Sequence, residues 1–540
     1  MNINLKYFLI FPLVLITLTS CKKEPEPTIV VPKNDETYSP AKIKPVLEEW
    51  QKKTFSYFRE GASFTGLAFE GNERGEVVAT GGSGFGVMAL IVGAERNWIT
   101  RQQAVDQTLK IVKFLGKAER FKGAWSHWYN SDGTAHPFGD QVKTGDLIET
   151  SFMMAGLLAA KEYYTSTSAG EKEIRDSVSS FWNTVNWKAY TDNQNVLKWL
   201  YYSQSNEYKL DIRGWNEGLI AYILALGAPS PLNISTDVYE QGWKSNDGIY
   251  NVNAKYYDYK MPMGHGLGNP LFFAHYSFLG LDPRLMEDKY ANYWDQNVAH
   301  TYINRHYCIH NASQAFKYNE KNWGLTACYG GRPPWGYMAR SPLNDDGVIA
   351  PTAALSSYPY SPFYSTQVLL NLADNSYMQG SYGFADAYSP ETLTSEKKHL
   401  AIDQGPIVVM IENYRTGLIW NLLMKNTDIK KGLSLAAIKE PIYNQGFIRA
   451  MIDNFTNEYD MMRHPDRGKY EINYFASTNG TSHFTLTDVN NKTVLDTTHV
   501  TVSGINIFTF DRADIMKRNS YTLALKTPDN SNYSLKVKLR

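Results

Sequence analysis

Apolar residues fall in two alternating patterns along most of this chain. Gly84 to Val92, Leu147 to Ala160, Gly214 to Leu226 and Ile407 to Met424 are apolar nearly all round. A helix with no wet face is one packed inside a protein. Between these runs lie segments with apolar residues on one face only: Val46 to Tyr57, the stretch opened by Thr100 (Ala104, Val105, Leu109, Val112, Leu115), Gly170 to Val185 and Ile234 to Gln241. Further helices are expected over Pro270 to Leu279, Pro283 to His310, Pro362 to Leu372, Thr392 to Leu400 and Thr427 to Ile438. About a dozen helices in two kinds suit a toroid of helical hairpins, an inner apolar ring inside an outer amphipathic one. The loops that precede the inner-type helices are long and rich in glycine, asparagine and aromatic residues.

After Met462 the period changes to two. Tyr470 to Phe475, Phe484 to Val489, Ile505 to Phe510, Tyr521 to Leu525 and Tyr533 to Leu539 alternate apolar and polar residues between Asn, Asp, Gly and Ser turns. This predicts a small antiparallel β-sandwich, an accessory unit without a site of its own. The expected organisation is a helical domain over residues 43–450 and a sandwich over 463–540.

The N-terminus is a targeting device. Lys6 precedes an apolar Tyr7 to Thr17 run, and Leu18-Thr19-Ser20-Cys21 matches the bacterial lipoprotein box, whose cysteine is acylated. The run is shorter than the ~20 residues a membrane span needs. Residues 1–21 are therefore read as signal peptide and lipobox, and 22–42 as a proline-rich tether. This predicts a lipid-anchored protein of the bacterial outer membrane, attached only through Cys21.

Composition narrows the partner. Lys+Arg 54 balance Asp+Glu 54 among 540 residues, which removes the electrostatic case for nucleic acid. Aromatic residues make up 14%, and flat faces with polar handles suit sugar rings. An uncharged partner with sugar-like rings, bound by a monomer, is expected. His127, His136, His265, His275, His306 and His310 are scattered without metal-ligand spacing, so no metal or other cofactor is expected. Cys308 and Cys328 are compatible with a disulfide or with two buried thiols.

Carboxylates stand at the mouths of the apolar runs: Asp146 and Glu149, Glu217, and Asp403. An acid is costly to bury there unless it is paired or used. Asp146 and Glu149 share a helix face, yet D-L-I-E is also a capping pattern. Glu217 needs burial or a negative neighbour such as Asp146 to serve as a general acid. Asp403, ahead of Pro406, is expected to be held ionised by the helix dipole and to suit a base. Candidate sugar contacts are Trp125, His127 and Trp128 in AWSHWY, Trp215 and Asn216, Trp323, Trp335, Arg332 and Asp346, with Arg340 and Asp345 nearby. The GGSGFG segment lacks the Lys-Ser/Thr of a phosphate loop and reads as close helix packing.

Many ordered motifs, among them TGGSGFGVMALIVGAERNWITRQQA, DLIETSFMMAGLL, GWNEGLIAYILALGAPS, NPLFFAHYSFLGLDPR, DDGVIAPTAA and IDQGPIVVMIENYRTGLIW, together resemble the glucoamylase-like domain of glycoside hydrolase family 144 over about residues 45–440. The resemblance implies an (α/α)6 barrel and inverting hydrolysis of β-1,2-glucan, either internally or by release of sophorose from an end. Carried over by position, it implies Glu217 as general acid and Asp403 as general base, with Asp146 and Glu149 tuning or binding at the cleaved subsite. The GAPSPL and ACYGGRPPWGY loops depart from the family pattern at the edge of the groove. Two other classes fit the bulk features: a polysaccharide lyase on a helical toroid, which would want a cationic cleft, and a glycan-binding lipoprotein without catalysis.

Overall fold

The helices, in chain order, are α1 Pro40–Arg59, α2 Thr80–Glu95, α3 Arg101–Leu115, α4 Leu147–Tyr163, α5 Ala169–Trp182, α6 Leu219–Gly227, α7 Thr236–Val238, α8 Tyr293–His306, α9 Pro351–Leu355, α10 Pro362–Asp374, α11 Ala401–Arg415, α12 Leu418–Leu423 and α13 Thr427–Leu435. The structure, a computed structural model, describes residues 37–540 except 73–76, 140–142, 245–249, 331, 334–335, 442–445, 449–450, 455 and 512–519. Cys21 with its lipobox, most of the tether, and Trp335 lie outside the described residues.

Helix α2 is the centre of the helical body. Every residue from Thr80 to Gly93 is buried, and its main partners are α4 and α11. Its glycines allow that approach: a Cβ on Gly84 would lie 2.4 Å from the Phe152 carbonyl oxygen, and one on Gly156 of α4 would lie 2.2 Å from the Gly84 oxygen. The two backbones touch, so neither position tolerates a side chain. The amphipathic helices α1, α3 and α5 each bury an apolar face and leave polar residues exposed. Thr100 and Gln103 close a capping box at the start of α3, which packs on α5 through one apolar face.

Three helical expectations fail, each where polar residues interrupt the run. Pro270 to Leu279 forms two short 3-10 turns, and within Pro283 to His310 only Tyr293–His306 is a regular α-helix, started by the Asn292 cap. Thr392 to Leu400 is not helical: Thr394–Glu396 pairs with Ala387–Ser389 as a hairpin, with Leu393 in the left-handed region. Local turn chemistry outweighed helix propensity there.

One loop sheet matters for the site. Strands β1 Thr144–Asp146, β2 Lys198–Tyr202 and β3 Glu207–Asp211 pair antiparallel in that order, and β1 runs directly into α4.

The C-terminal region is a two-sheet sandwich. Its strands are β4 Phe447–Ile448, β5 Tyr459–Met461, β6 Tyr470–Ala476, β7 Gly480–Asp488, β8 Thr493–Thr501, β9 Gly504–Phe510, β10 Ser520–Lys526 and β11 Asn532–Leu539. One sheet has the order β4-β6-β9 and the other β5-β11-β10-β7-β8, with β5 parallel to β11. Alternate residues face a shared core in which Phe484 and Phe508 stack at 3.7 Å across the sheets. The period-2 pattern marked five of these strands. It missed β8, an edge strand whose threonines and aspartate blur the alternation, and β4 and β5, too short to show a period. Polar contacts tie this region to the helices: the Tyr364 hydroxyl of α10 lies 2.6 Å from a carboxylate oxygen of both Asp453 and Asp460, and Arg415 of α11 binds Asp466 at 2.8 Å.

Candidate active site

Strand β1 delivers Asp146 to the first turn of α4, where its Oδ1 accepts the Glu149 backbone N–H at 3.0 Å. The capping pattern is thus half realised. Glu149 does not fold back. Its Oε2 reaches the first turn of α2 and accepts the Gly81 N–H at 2.5 Å, an anion at a helix N-terminus. Asp146 Oδ2 lies 2.7 Å from His127 Nδ1 and accepts the Trp199 indole N–H at 3.2 Å. The His127 ring stacks on Phe138 at 4.1 Å and stands edge-on to Trp128 at 4.9 Å. Burial alone would lower the imidazole's pKa, but Glu149 and Asp146 outweigh it and push it up to about 9. Glu149 is pushed up to about 7 by burial, against the pull of His127.

Glu217 sits just before α6 and is buried. Asn216 holds this turn, its Oδ1 accepting the Gly218 N–H at 2.8 Å and its Nδ2 donating to the Arg213 carbonyl at 3.2 Å. Because Glu217 precedes the helix and lies in apolar surroundings, burial, with a contribution from Asp146, pushes its carboxyl up to about 7. That is the help a general acid at this position requires.

Asp403 behaves differently from expectation. It lies in the first turn of α11 with its carbonyl held by Thr352 Oγ1 at 2.9 Å, and it is almost fully buried. Its carboxyl is in side-chain hydrogen-bond contact with Asp386 and with the Tyr276 hydroxyl. Asp386 is the acid bearing on it most strongly; it is also buried, and its Oδ2 accepts the Tyr329 N–H at 2.7 Å. Burial first, then Asp386 and Glu70, hold Asp403 well above the usual carboxylate range, and Asp386 is raised to about 6, chiefly by burial. The expected ionised Asp403 is therefore corrected: dehydration and a like charge exceed what one helix terminus contributes.

Tyr276 joins the two sides. It bears electrostatically on Asp403, Glu217 and Asp386, and its ring packs on Phe85 and Phe152 at 5.4 and 5.7 Å. Tyr337, 53% exposed, bears electrostatically on Asp403 and Asp386. Glu70 bears on Glu149, His127 and Asp403 alike. All four acids singled out in the sequence thus belong to one acidic cluster.

The proposed sugar contacts divide. His127 and Trp128 are half-buried beside the acids, but Trp125, Trp215 and Trp323 are core residues. Trp125 is 0% exposed, donates its indole N–H to the Leu115 carbonyl at 3.2 Å and packs edge-on against Phe181. Trp215 is wedged by Phe278 and Tyr293, and Trp323 is 0% exposed. An aromatic pattern does not distinguish a ring facing the cleft from one filling the interface behind it. Arg332 and Asp346 are spent on loop closure: Arg332 pairs with Glu391 and the Asp346 carbonyl, while Arg340 grips the Asp346 carboxylate at 2.7 and 2.9 Å. Asn216 serves its own turn. Cys308 and Cys328 are separate buried thiols. The residues that sequence reasoning missed are Asp386, Glu70, Tyr276, Trp199, Phe138 and Tyr337. Only Asp386 carried a signal, an acid inside the otherwise apolar GFADAY.

Several known proteins are similar to this chain. A family profile described as "Glycoamylase: Putative glucoamylase" matches residues 209–427. An exo β-1,2-glucooligosaccharide sophorohydrolase (non-reducing end) of Parabacteroides distasonis is 40% identical over 427 residues, 74% of this chain and 58% of the relative, so the chain spans a little over half of that protein's length. The solved endo-β-1,2-glucanase from Chitinophaga pinensis, in complex with sophorotriose and glucose, is 41% identical with a TM-score of 0.70, covering 74% of this chain and 99% of that one. A solved protein of the same description as the profile, from Bacteroides uniformis ATCC 8492, is 43% identical with a TM-score of 0.71, covering 74% of this chain and 98% of that one. With the helical body and the buried acid cluster, these likenesses establish that the chain belongs to the glucoamylase-like glycoside hydrolases of the family 144 type.

Proposed function

We propose that this protein hydrolyses β-1,2-linked glucan or its oligosaccharides with inversion, in a cleft at the mouth of an (α/α)6 barrel. Glu217 carries the reading. Its carboxyl, pushed up to about 7, holds its proton close to neutral pH and can give it to the glycosidic oxygen. Asp403 supplies the opposite side, where a water molecule must lose a proton as it attacks the anomeric carbon. Asp146 acts on Glu217 through its charge and is held by His127 and Trp199. The rings of Trp128, Phe138 and Tyr337 offer faces to glucose units, and the zero net charge suits an uncharged polymer. Family relatives named for exo and for endo action on β-1,2-glucans support this substrate class.

The lipobox at Cys21 supports anchoring in the outer membrane by lipid, with the sandwich as an accessory unit braced against the helices. The test is a digest of β-1,2-glucan by the chain lacking residues 1–21, with products resolved by length and their anomeric form followed by proton NMR. Release of sophorose-series sugars, first as the α-anomer, is expected. A sophorose-only profile would mark action from a chain end, and a ladder of lengths would mark internal cleavage. No release, or β-anomer first, would overturn hydrolysis or inversion respectively.

A further inference from the structure

The buried carboxyls of Asp386 and Asp403 are in side-chain hydrogen-bond contact with each other, and beyond that contact they meet, among the described residues, only the Tyr329 N–H on Asp386 and the Tyr276 hydroxyl on Asp403. Unsatisfied buried acceptors are expensive, and two facing carboxylates satisfy each other only if one carries a proton. Their backbones are fixed. The Asp386 N–H donates to the carbonyls of Glu396 and Lys398 at 3.1 Å each, its Oδ2 is pinned by Tyr329, and Asp403 is pinned through Thr352.

We propose that Asp386 and Asp403 form a proton-sharing dyad that acts as the base of the reaction, with Asp386 as the final proton acceptor. This rests on the hydrolase function proposed above. Before reaction the dyad holds one proton, on Asp403 facing Asp386, and one negative charge. As the water oxygen bonds to the anomeric carbon, its proton passes to the outer oxygen of Asp403, and the proton already there passes to Asp386. Meanwhile Glu217 protonates the departing oxygen as the glycosidic bond breaks. The dyad ends neutral and Glu217 ends as a carboxylate, so charge is conserved. Return of one proton from the dyad to Glu217 through solvent resets the site. The raised carboxyls of both aspartates accord with this arrangement. The charged and titratable groups around the dyad are Glu70, Glu396, Tyr276, Tyr337, Cys328 and Arg340. Arg340, the cation among them, is engaged by both oxygens of Asp346, so it leaves the dyad's shared proton in place.

Asp386→Asn tests the assignment, since the amide oxygen can still accept from Tyr329. In the wild type the acidic limb of kcat/KM on β-1,2-glucan marks the first ionisation of the pair, which sharing of the remaining proton favours, so in the variant the limb should move up by ~1 pH unit or more. The substitution should lower kcat by about tenfold or more, with KM little changed, because Asp403 alone is a weaker base. A variant with the wild-type kcat and pH profile would overturn the dyad. Independently of that variant's folding, the infrared difference between wild type and Asp403→Asn at pH 7 should contain a protonated-carboxyl band. Its absence would also overturn the dyad. An inactive wild type would instead refute the hydrolase function, which keeps the two failures distinct.

Discussion

The two sides of the cleft handle buried charge in opposite ways. On the α2–α4 side, Asp146 and Glu149 are met by a protonated histidine, an indole N–H and two backbone N–H groups. On the α11 side, Asp403 and Asp386 have one backbone N–H and one tyrosine hydroxyl, no cation among the described residues is bonded to them, and they share a proton. The first arrangement is built for stability, because every anion has a partner. The second leaves a pair of acids whose charge state is poised to change, which is what proton transfer needs. Glu217 stands between them, dehydrated by its surroundings and further raised by Asp146.

The contrast is broken most strongly at Glu217. Glu217→Gln should lower kcat on β-1,2-glucan by ~10²–10⁴-fold, the range for loss of a general acid, with binding of sophorose-series sugars retained. Calorimetric titration beside the rate assay checks both halves, and retention of activity would remove Glu217 from the mechanism.

The next largest effect is on stability. His127→Ala strips the cation from the compensated side and should destabilise the fold by about 3–5 kcal/mol, as for a broken buried ion pair. Denaturant unfolding measures it. A loss well under 1 kcal/mol would mean that water, not His127, compensates Asp146.

A smaller shift is expected from Asp146→Asn. Without the negative charge, the alkaline limb of the rate profile, set by Glu217 near pH 7, should move to lower pH. An unmoved limb would confine the cause to burial alone.

The gentlest effect is the pH dependence of the melting temperature. Asp386, Glu149 and Glu217 bind protons more tightly when folded, so their contribution is present below the ordinary carboxylate range and lost as pH rises through about 6 to 7. His127 follows the same sign, its contribution lost as pH rises through about 9. Stability should therefore fall between pH 5 and 9, and a rise over that interval would contradict the raised carboxyls.

Much of this was legible in the residues, and the exceptions share a cause. Asp146, Glu149, Glu217 and Asp403 stood out because an acid before an apolar helix is an anomaly that one-dimensional patterns reveal. The buried character of α2 and α4 followed from their lack of a polar face, and the sandwich from its alternation. Asp386 left only a faint mark, an acid in an apolar stretch, because its significance comes from a neighbour seventeen residues away across a hairpin whose sequence reads in part as helix. Trp125, Trp215 and Trp323 read in sequence as sugar contacts because a sugar platform and a core ring look the same until the direction of the side chain is known. The ionised state expected for Asp403 failed for the same reason: the helix terminus is local and readable, whereas burial and Asp386 belong to the tertiary structure.

The claim that the α11 side trades stability for chemistry is tested most directly by one variant. Asp403→Asn removes half of the uncompensated pair, so activity on β-1,2-glucan should drop ~10²-fold or more while the melting temperature at pH 7 stays equal to wild type or rises. Retained activity, or a melting temperature that falls along with it, would contradict the account.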